Sequence, residues 1–233
     1  MDNKDSNDLD YIIEIEDKVK TKTDVKLEKT FEWLICIILS VGFALFIRYY
    51  MFAPRIVNQY SMSPTLESEH RVVVRRLNAA QKQNIARGSI VTIEAPDVLY
   101  ITENIDLKYP VAVYEEKNFS IFDNFYYYVL EADKINYMKR VIAVGGDHIK
   151  ISNNKVYVNN ALLDEPYLPP DTQTTSMNGA FTDIVVPEGH VFVMGDNRTR
   201  STDSRSFGCI PVNKIDGVVF IRFSPLSLFG KVK

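Results

Sequence analysis

The longest apolar stretch of the chain runs from Phe31 to Ala53 and predicts a helix that spans a membrane. Its uncharged centre, Trp33 to Ile47, is shorter than the ~20 residues usual for a spanning helix. The flanks extend it, because Arg48 can reach the headgroups and the Tyr49-Tyr50 pair suits an interfacial aromatic belt. Apolar residues on all sides argue against the buried helix of a soluble core. We therefore expect one transmembrane signal anchor over residues 30–53.

The stretch before this anchor, residues 1–29, is highly charged and poor in aromatic side chains. Such a composition buries little apolar surface, so we expect a mostly disordered cytoplasmic tail. Its last part, Ile12 to Glu28, could become helical near the membrane. A cleaved signal peptide is the alternative, but the charged region is too long for one. In addition, no small-x-small cleavage site follows the apolar run.

The charges on the two sides of the anchor predict its orientation. Only Arg48 and Arg55 follow the anchor closely, whereas lysines are frequent before it. Because positive residues favour the cytoplasmic side, we expect a single-pass cell-membrane protein with its N-terminus inside and residues 54–233 outside. The preceding lysines are Lys18, Lys20, Lys22, Lys26 and Lys29.

After Ala53 the pattern changes to short stretches of β-branched and aromatic residues separated by turn signals, which is typical of β-strands. Asn159-Asn160 predicts a tight hairpin. No long helical periodicity occurs outside the anchor, so we predict a mainly β domain, antiparallel and closed or sandwiched. The predicted strands are His70–Arg75, Ser89–Ile93, Met138–Ile142, Asp147–Ile151, Lys155–Val158, Ala161–Leu163, Asp183–Val186, His190–Met194 and Gly217–Phe223.

The segment from Glu94 to Lys134 does not fit this strand pattern, because it combines acidic residues with many aromatic ones. Two interpretations remain open. The segment could be a β excursion whose aromatic side chains pack on the core, or it could contact membrane or substrate. Its aromatic residues include Phe119, Phe122, Phe125 and the Tyr126-Tyr127-Tyr128 run.

Charge and cysteine content narrow the function further. The net charge is −3, which gives no electrostatic reason to expect a nucleic-acid partner. Cys36 lies inside the apolar stretch, so a disulfide with the distant Cys209 is not expected. Neither cysteine belongs to a cluster with metal-ligand spacing, and the histidines show none. We expect neither a metal site nor a cofactor.

Ser61 is the candidate nucleophile, because it follows the anchor closely in the stretch Tyr60-Ser-Met-Ser-Pro-Thr-Leu66. A serine hydroxyl needs a neighbouring base to become a good nucleophile. His70, His148 and His190 could each be ordinary structural or surface histidines. A lysine can serve instead when burial lowers its pKa from ~10.4 by as much as ~3–5 units.

Lys139 is the candidate base, because it lies in an apolar strand-like stretch. Strand alternation predicts Lys139 and Arg140 on opposite faces, one pointing inward and the other into water. A lysine at a strand edge remains the alternative. The polar loop from Met194 to Arg205 could orient a buried amine, or it could be a turn rich in Asx-type hydrogen bonds.

Taken together, three blocks resemble the bacterial type I signal peptidases, in that family's order and after a membrane anchor. The blocks are Ser61-Met-x-Pro-Thr-Leu66, Lys139-Arg-Val-Ile-Ala143 and Gly195-Asp-Asn-x3-Ser201-x-Asp-Ser-Arg205. The resemblance covers roughly residues 31 to 225, with 94–134 as a poorly matching insertion. It implies a mainly β fold: the signal-peptidase/LexA-like antiparallel β catalytic domain, preceded by one N-terminal transmembrane helix. A single anchor is similar to the Gram-positive members.

The resemblance also implies roles for individual residues. Ser61 would be the nucleophile and Lys139 the general base, with Ser201 holding the lysine amine by a hydrogen bond. Asp203 and Arg205 would support the site as a pair. The backbone N–H of Ser61 would help stabilise the oxyanion.

The residues around the nucleophile are expected to bind substrate. Met62 would lie near the substrate pocket or simply fill apolar space. Gln59 and Tyr60 depart from the family, which usually has Gly or Ser at the position of Gln59, where it contributes to the oxyanion hole. Further departures are Ser89 for Asp, Ala143 for Gly and Gly145 for Pro.

The implied activity is removal of signal peptides from exported preproteins after small residues, of the Ala-x-Ala type. Signal-peptide-bearing preproteins and the lipid bilayer would be the partners. We expect a monomer, with association with the secretion machinery left open. The alternatives are a non-catalytic, membrane-anchored β domain that binds exported chains and a self-cleaving Ser-Lys repressor. The repressor would need a DNA-binding domain where this chain has a membrane span.

Overall fold

The computed structural model describes residues 5–97, 109–115, 120, 123, 126–127, 135–176 and 180–232. Its first element is helix α1, Asp5–Tyr50. Within α1, Lys26–Tyr50 is long and apolar enough to cross a membrane, judged by length and composition. The helix considered for Ile12–Glu28 is therefore present, whereas the expected disorder is wrong for the helical residues 5–29 as a whole. They contain neither Gly nor Pro, so a helix nucleated in the apolar segment can propagate through them.

The elements after α1 are mainly short strands, as the sequence predicts. The strands are β1 Phe52–Ile56, β2 Arg71–Arg76, β3 Ile90–Glu94, β4 Asn136–Val144, β5 His148–Ser152, β6 Lys155–Val158, β7 Ala161–Leu162, β8 Asp183–Val185, β9 His190–Met194, β10 Ile210–Pro211 and β11 Ile215–Ser224. In the described part of the chain, the short α-helices α2 Ala79–Lys82 and α3 Ser204–Phe207 and the 3-10 turns Tyr60–Met62 and Val212–Lys214 lie between strands, and the 3-10 turn Leu226–Leu228 follows β11.

The strands form two sheets. The larger one has seven strands in the order β1-β2-β11-β3-β4-β9-β10, and the smaller has four in the order β7-β6-β5-β8. All pairings between these strands are antiparallel. The predicted mainly β, antiparallel fold class, preceded by an apolar N-terminal helix, is thus confirmed.

Two strands have no counterpart among the predicted ones. β1 begins inside the stretch assigned to the anchor and contains Pro54, a residue that argues against a strand in the middle of a sheet. The structure places β1 at the edge of the larger sheet, where proline is tolerated. The other missed strand, β10, is only two residues long and has too little pattern to detect.

The main core joins both sheets. Val141 and Val193 of the larger sheet pack in one buried cluster with Ile149 and Ile184 of the smaller sheet. A second cluster combines Val72, Val74, Ile90 and Val219 with Met62 and other residues near the candidate nucleophile. The nucleophile's turn is therefore seated on a core of its own.

The turn between β6 and β7 is the hairpin expected at Asn159-Asn160. Both asparagines have positive φ angles, of 54° and 64°. The two flanking strands pair antiparallel, with Val158 opposite Ala161. Asparagine tolerates this left-handed backbone region better than most residues, which is why the dipeptide predicts the turn.

Some described residues of the 94–134 segment pack on the core, whereas Tyr109 and Tyr126 are exposed. Ala112 and Tyr127 are buried, and Ala112 donates its backbone N–H to the Cys209 carbonyl oxygen at 2.8 Å. The Tyr127 hydroxyl donates to Glu94 Oε1 at 3.2 Å. These contacts support the core-packing interpretation for the residues concerned. Phe119, Phe122, Phe125 and Tyr128 lie outside the described residues.

By its internal contacts the chain divides into two compact units. One extends to Ile47 and the other comprises Arg48–Lys233. Every strand and every candidate site residue belongs to the second unit.

Candidate active site

Ser61 lies in the 3-10 turn Tyr60–Met62 that follows β1. The next residue, Met62, is 1% exposed and packs in the second core cluster with Leu66. The Leu66 N–H donates to the Met62 carbonyl oxygen at 2.9 Å, which closes the turn. The buried methionine thus holds the turn in place, and Ser61 is 7% exposed where the turn contacts β4.

Lys139 occupies the middle of β4, opposite Val91 of β3. Its side chain is buried, with 1% of the residue exposed. Lys139 Nζ lies 2.8 Å from Ser61 Oγ, although the two residues are 78 positions apart in the chain. The structure therefore places the candidate nucleophile and base within hydrogen-bonding distance.

Burial lowers the pKa of Lys139 to about 8 from an ordinary value of 10.5, because the ammonium form loses its hydration. The charges of Asp203 and Asp196 oppose this shift, and that of Arg205 adds to it. With a pKa of about 8, roughly a tenth of the amine is uncharged near neutral pH and can accept a proton.

Arg140 follows Lys139 on β4 and points to the opposite face, as alternation predicts. The expectation that it lies in water is wrong, since Arg140 is only 2% exposed. Its guanidinium donates two hydrogen bonds to Asp196, at 2.9 and 2.7 Å, and one to the Gly88 carbonyl oxygen at 2.9 Å. Both faces of β4 are covered at this point, which a single-strand pattern cannot reveal.

A loop from Gly195 to Asp203 lies against the nucleophile's turn. The backbone N–H of Asn197 donates to the Ser61 carbonyl oxygen at 3.0 Å. The Asn197 side-chain amide donates to the Tyr60 carbonyl oxygen at 3.2 Å. Asn197 was not among the predicted site residues, yet it attaches the loop directly to the turn that carries Ser61.

Ser201 is buried in this loop, but the expected hydrogen bond to the lysine amine is not present. Ser201 Oγ has no hydrogen-bond partner among the described residues. The hydroxyl instead faces Gly195, where a built Cβ would lie only 2.2 Å from it and 2.4 Å from the Ser61 carbonyl oxygen. The loop and the nucleophile's turn therefore approach so closely that only glycine fits between them.

Asp203 and Arg205 form a fully buried ion pair. Arg205 Nε donates to Asp203 Oδ1 and its NH2 group to Oδ2, both at 2.8 Å. Asp203 Oδ2 also accepts the Gly195 backbone N–H at 3.0 Å. The pair thus fixes both ends of the loop that contains Ser201.

A second, partly buried network, not predicted from the sequence, covers the far side of Arg140. The Arg140 guanidinium stacks 3.8 Å from the centroid of the Tyr167 ring. The Tyr167 hydroxyl donates to Glu165 Oε1 at 2.8 Å, and Glu165 forms an ion pair with Arg198. Arg198 Nε in turn donates to the Gly195 carbonyl oxygen at 3.1 Å. Glu165 and Tyr167 follow β7 in a stretch without a motif, so only the tertiary fold brings them here.

Comparison with known proteins identifies the family. The profile of "Signal peptidase, peptidase S26" matches residues 30–224. The chain belongs to this signal peptidase family. It is 31% identical over 216 residues to signal peptidase I of Bacillus licheniformis, covering 90% of this chain and 97% of that protein. Signal peptidase I S of Bacillus subtilis strain 168 is 30% identical over 220 residues, covering 91% and 99%.

Family membership makes the chain a serine peptidase, a hydrolase of the group that cleaves signal peptides, and its N-terminal apolar helix fits a membrane-anchored enzyme. A crystal structure of a signal peptidase I from Enterococcus faecalis V583 covers 58% of this chain and 96% of its own, with 22% identity. Its TM-score of 0.37 is too low to add to the assignment.

In this member of the family, two clefts meet at Ser61. The smaller cleft has a volume of about 280 Å³. It is lined mostly by residues from the end of β1 to the Ser61 turn and by residues at the start of β4. The other holds about 420 Å³ and continues past Lys139 to the Ser201 loop. The first is lined by Arg55, Ile56, Val57, Asn58, Gln59, Ser61, Met62, Thr92, Ile135, Asn136 and Met138. The second is lined by Asn58, Gln59, Tyr60, Ser61, Tyr137, Lys139, Arg200 and Thr202.

The three histidines have other partners in this peptidase. His70 Nδ1 accepts the Glu67 backbone N–H at 3.1 Å. His148 Nε2 lies 2.7 Å from Asp183, and His190 Nδ1 lies 2.8 Å from the Glu188 carbonyl oxygen. Ser61 therefore has Lys139, and no histidine, as the base within hydrogen-bonding distance among the described residues.

Proposed function

We propose that this chain is a membrane-anchored endopeptidase that removes signal peptides from exported preproteins with a Ser61–Lys139 dyad. The observation that carries the proposal is the 2.8 Å separation of Lys139 Nζ and Ser61 Oγ in a buried setting. Burial lowers the pKa of Lys139 to about 8, close to the range in which a general base works well.

In the acylation step, neutral Lys139 takes the hydroxyl proton of Ser61 as Oγ forms a bond to the scissile carbonyl carbon. The resulting tetrahedral intermediate collapses when the carbon–nitrogen bond breaks. The leaving amine then receives the proton from the Lys139 ammonium group, which returns the lysine to its neutral form. The signal peptide remains joined to Ser61 as an ester.

In the deacylation step, neutral Lys139 takes a proton from a water molecule that attacks the ester carbonyl. The second tetrahedral intermediate releases the carboxylate end of the signal peptide, and Ser61 Oγ recovers its proton from Lys139. The same amine thus serves both half-reactions. It can do so because its environment keeps the neutral form accessible.

The charge that develops on the carbonyl oxygen needs hydrogen-bond donors. The backbone N–H of Ser61 is the first donor in this proposal. The Gln59 side chain makes no hydrogen bond that caps the 3-10 turn, and Gln59 lines both clefts. Its amide is therefore our candidate for the second donor, in place of the small residue usual in the family.

The smaller cleft suits small side chains of an extended peptide at the −1 and −3 positions. Its apolar walls come from Ile56, Val57, Met62 and Met138, and its volume of about 280 Å³ is limited. β1 is an edge strand, and β4 is paired with β9 only from Arg140 onward, so among the described residues both strands next to this cleft have an edge that an added strand could join. An Ala-x-Ala pattern before the cleavage site fits this shape.

The anchor would present this site at the membrane surface. We propose a cytoplasmic tail at 1–29, an anchor that ends with α1 at Tyr50 rather than at Ala53, and an extracytoplasmic peptidase domain that begins with β1 at Phe52. The lysines before the anchor support this orientation. A cleavage site that emerges from the bilayer would then reach Ser61, which follows the anchor closely in the sequence.

Incubation of the detergent-solubilised full chain with a preprotein carrying an Ala-x-Ala site tests the proposal. We expect cleavage directly after the second alanine, identified by mass spectrometry of the new N-terminus. Ser61→Ala should abolish it while the folded state, measured by circular dichroism, is kept. A wild-type protein that binds the preprotein without cutting it would favour the non-catalytic binding domain instead.

A further inference from the structure

The larger cleft has a charge pattern that the dyad mechanism does not explain. Of the described residues that line its volume of about 420 Å³, Lys139 and Arg200 carry basic groups, and none is Asp or Glu. Lys139 must be neutral to act as the base. Arg200 therefore leaves the working cleft with a net positive charge.

The proposed reaction decides which part of the substrate enters this cleft. Lys139 must deliver a proton to the leaving amine, so the first residue of the mature protein has to lie on the lysine's side of Ser61. The smaller cleft, where Lys139 is not among the lining residues, takes the residues before the cleaved bond. The larger cleft, which Lys139 does line, then receives the residues after it.

Hydrogen bonds within the loop hold the Arg200 backbone at the edge of the larger cleft. Its backbone N–H donates to the Asn197 carbonyl oxygen at 3.1 Å. Asn197 in turn donates hydrogen bonds to the carbonyl oxygens of Ser61, from its backbone N–H at 3.0 Å, and of Tyr60, from its side-chain amide at 3.2 Å. The arginine backbone thus has a fixed position relative to the nucleophile's turn.

The side-chain pattern of the loop directs Arg200 outward. Ser201 is buried, whereas Arg200 and Thr202 on either side of it are exposed and line the cleft. The three buried arginines nearby are paired with carboxylates: Arg140 with Asp196, Arg198 with Glu165 and Arg205 with Asp203. Arg200 forms no ion pair with any residue in the described part of the chain, so its charge is available to a ligand.

We propose that Arg200 selects preproteins whose mature chains begin with an acidic residue at position +1 or +2. This inference rests on the proposed peptidase function. A carboxylate in the cleft would form a charge-assisted hydrogen bond with the guanidinium. A basic residue at the same position would be repelled. Successive side chains of an extended chain point to opposite faces, so one of these two positions faces the guanidinium, and the peptides described next identify it.

The test uses peptides that share one Ala-x-Ala signal segment and differ only after the cleavage site. Asp, Asn and Lys are placed in turn at +1 and at +2, so that Asp and Asn differ in charge but hardly in shape. The Asp peptides carry Asp at +1 or at +2, and one of them should be the better substrate. For that peptide we expect the detergent-solubilised full chain to show a kcat/KM about threefold above that of the peptide with Asn at the same position, because a partly exposed ion pair contributes little. The Lys peptide should be the poorest.

Two variants assign this preference to Arg200. Arg200→Gln should bring the Asp-to-Asn ratio to about one, and Arg200→Glu should reverse the order of Asp and Lys. Lys155→Glu changes the net charge as much as Arg200→Glu does, on an exposed residue of the smaller sheet, and should keep the wild-type ratio. Raising the salt from about 0.05 to about 0.5 M should shrink the wild-type ratio, because exposed charges are screened.

The outcomes separate this inference from the function it rests on. If no peptide is cut by the wild-type chain, the peptidase proposal fails. If all peptides are cut equally well, or if the Asp preference survives in Arg200→Gln, the peptidase proposal stands and the role of Arg200 is overturned. A preference that moves with Lys155→Glu would also contradict it, since a long-range charge effect would then suffice.

Discussion

The ring of Tyr167 lies against the Arg140 guanidinium, with its centroid 3.8 Å from Arg140 Cζ. The ring thereby covers one side of the Arg140–Asp196 ion pair. Arg140 is next to Lys139 on β4, and Asp196 is in the loop that contains Ser201. The Tyr167 ring therefore shields a contact that connects the two elements framing the candidate base. Exclusion of water strengthens such a pair, which holds β4 and the loop in place relative to each other.

Tyr167→Ala should lower kcat about tenfold with little change in KM, because Tyr167 is not among the residues that line either cleft at Ser61. Because Lys139 lies on the other face of β4, the acidic limb of the rate profile should stay at its wild-type position. Steady-state kinetics across a pH series measures both quantities. Tyr167→Phe keeps the ring and loses only the hydroxyl bond to Glu165, so it should remain close to wild type. Equal losses in the two variants would contradict a shielding role.

Much of the fold follows from local sequence pattern. The alternation in Lys155–Val158 and His190–Met194 predicts β6 and β9 with their observed bounds. The Asn159-Asn160 hairpin is predicted by backbone preference alone. β1 was missed because its proline makes sense only at a sheet edge, and edge positions are a property of the whole sheet. A helix over Ile12–Glu28 was considered from the sequence, but its start at Asp5 was missed because composition does not show how far an adjoining helix extends.

The candidate site divides in the same way. Ser61 and Lys139 could be proposed because each lies in a recognisable block, and their 2.8 Å separation is consistent with that proposal. The burial of Arg140, and the contacts of Glu165 and Tyr167, depend on loops that return from distant parts of the chain. Asn197 lies inside a block, but its bonds to Ser61 and Tyr60 follow from the close approach of two loops. No local pattern encodes these contacts.

Gly195→Ala should nearly abolish activity. The added Cβ would lie 2.2 Å from Ser201 Oγ and 2.4 Å from the Ser61 carbonyl oxygen, and the second of these contacts involves backbone that cannot simply rotate away. Displacement of the nucleophile's turn by about 1 Å would lower kcat by about a hundredfold. Peptide cleavage assays measure the loss. Gly42→Ala is the matched control, because nothing lies within 4 Å of a Cβ there. A fully active Gly195→Ala protein would show that the loop and the turn are not tightly apposed.

Arg205→Met should destabilise the β-rich unit Arg48–Lys233 by about 3–5 kcal/mol, because it leaves the buried Asp203 carboxylate without its cation. Chemical denaturation followed by fluorescence measures the change. Combining Arg205→Met with Asp203→Leu should recover part of the loss, since the unpaired charge is then removed. Lys150→Met breaks the half-exposed pair with Asp183 and should change stability by less than about 1 kcal/mol. Similar losses in Arg205→Met and Lys150→Met would contradict the buried pair's structural role.

Lys139→Met should make the folded protein more stable at low pH while removing activity. The folded-state pKa of Lys139 is about 8 and its ordinary value is 10.5, a shift that corresponds to about 3 kcal/mol. Below about pH 8 the lysine is protonated in both states, and the folded state bears the full penalty of a buried charge. The penalty disappears as the pH rises from about 8 to 10.5, because the folded state then loses its proton first.

The stability advantage of Lys139→Met should therefore be large near pH 6 and small above about pH 10. Thermal or urea unfolding of the wild type and the variant at several pH values measures it. The exposed Lys155→Met variant controls for the loss of one positive charge and should show no such trend. An advantage for Lys139→Met that does not depend on pH would mean that Lys139 does not titrate abnormally.

The pH profile of kcat/KM for a peptide with an Ala-x-Ala site tests the dyad most directly, because it reports the ionisation of the free enzyme's base. In the proposed mechanism Lys139 acts only when neutral, and its pKa is lowered to about 8. We predict that kcat/KM falls about tenfold for each pH unit below that value and is constant above it. Lys139→Ala should remove the activity at every pH. A wild-type profile that is flat from about pH 6 to about pH 9, or a cleavage activity that survives in Lys139→Ala, would contradict Lys139 as the general base of Ser61.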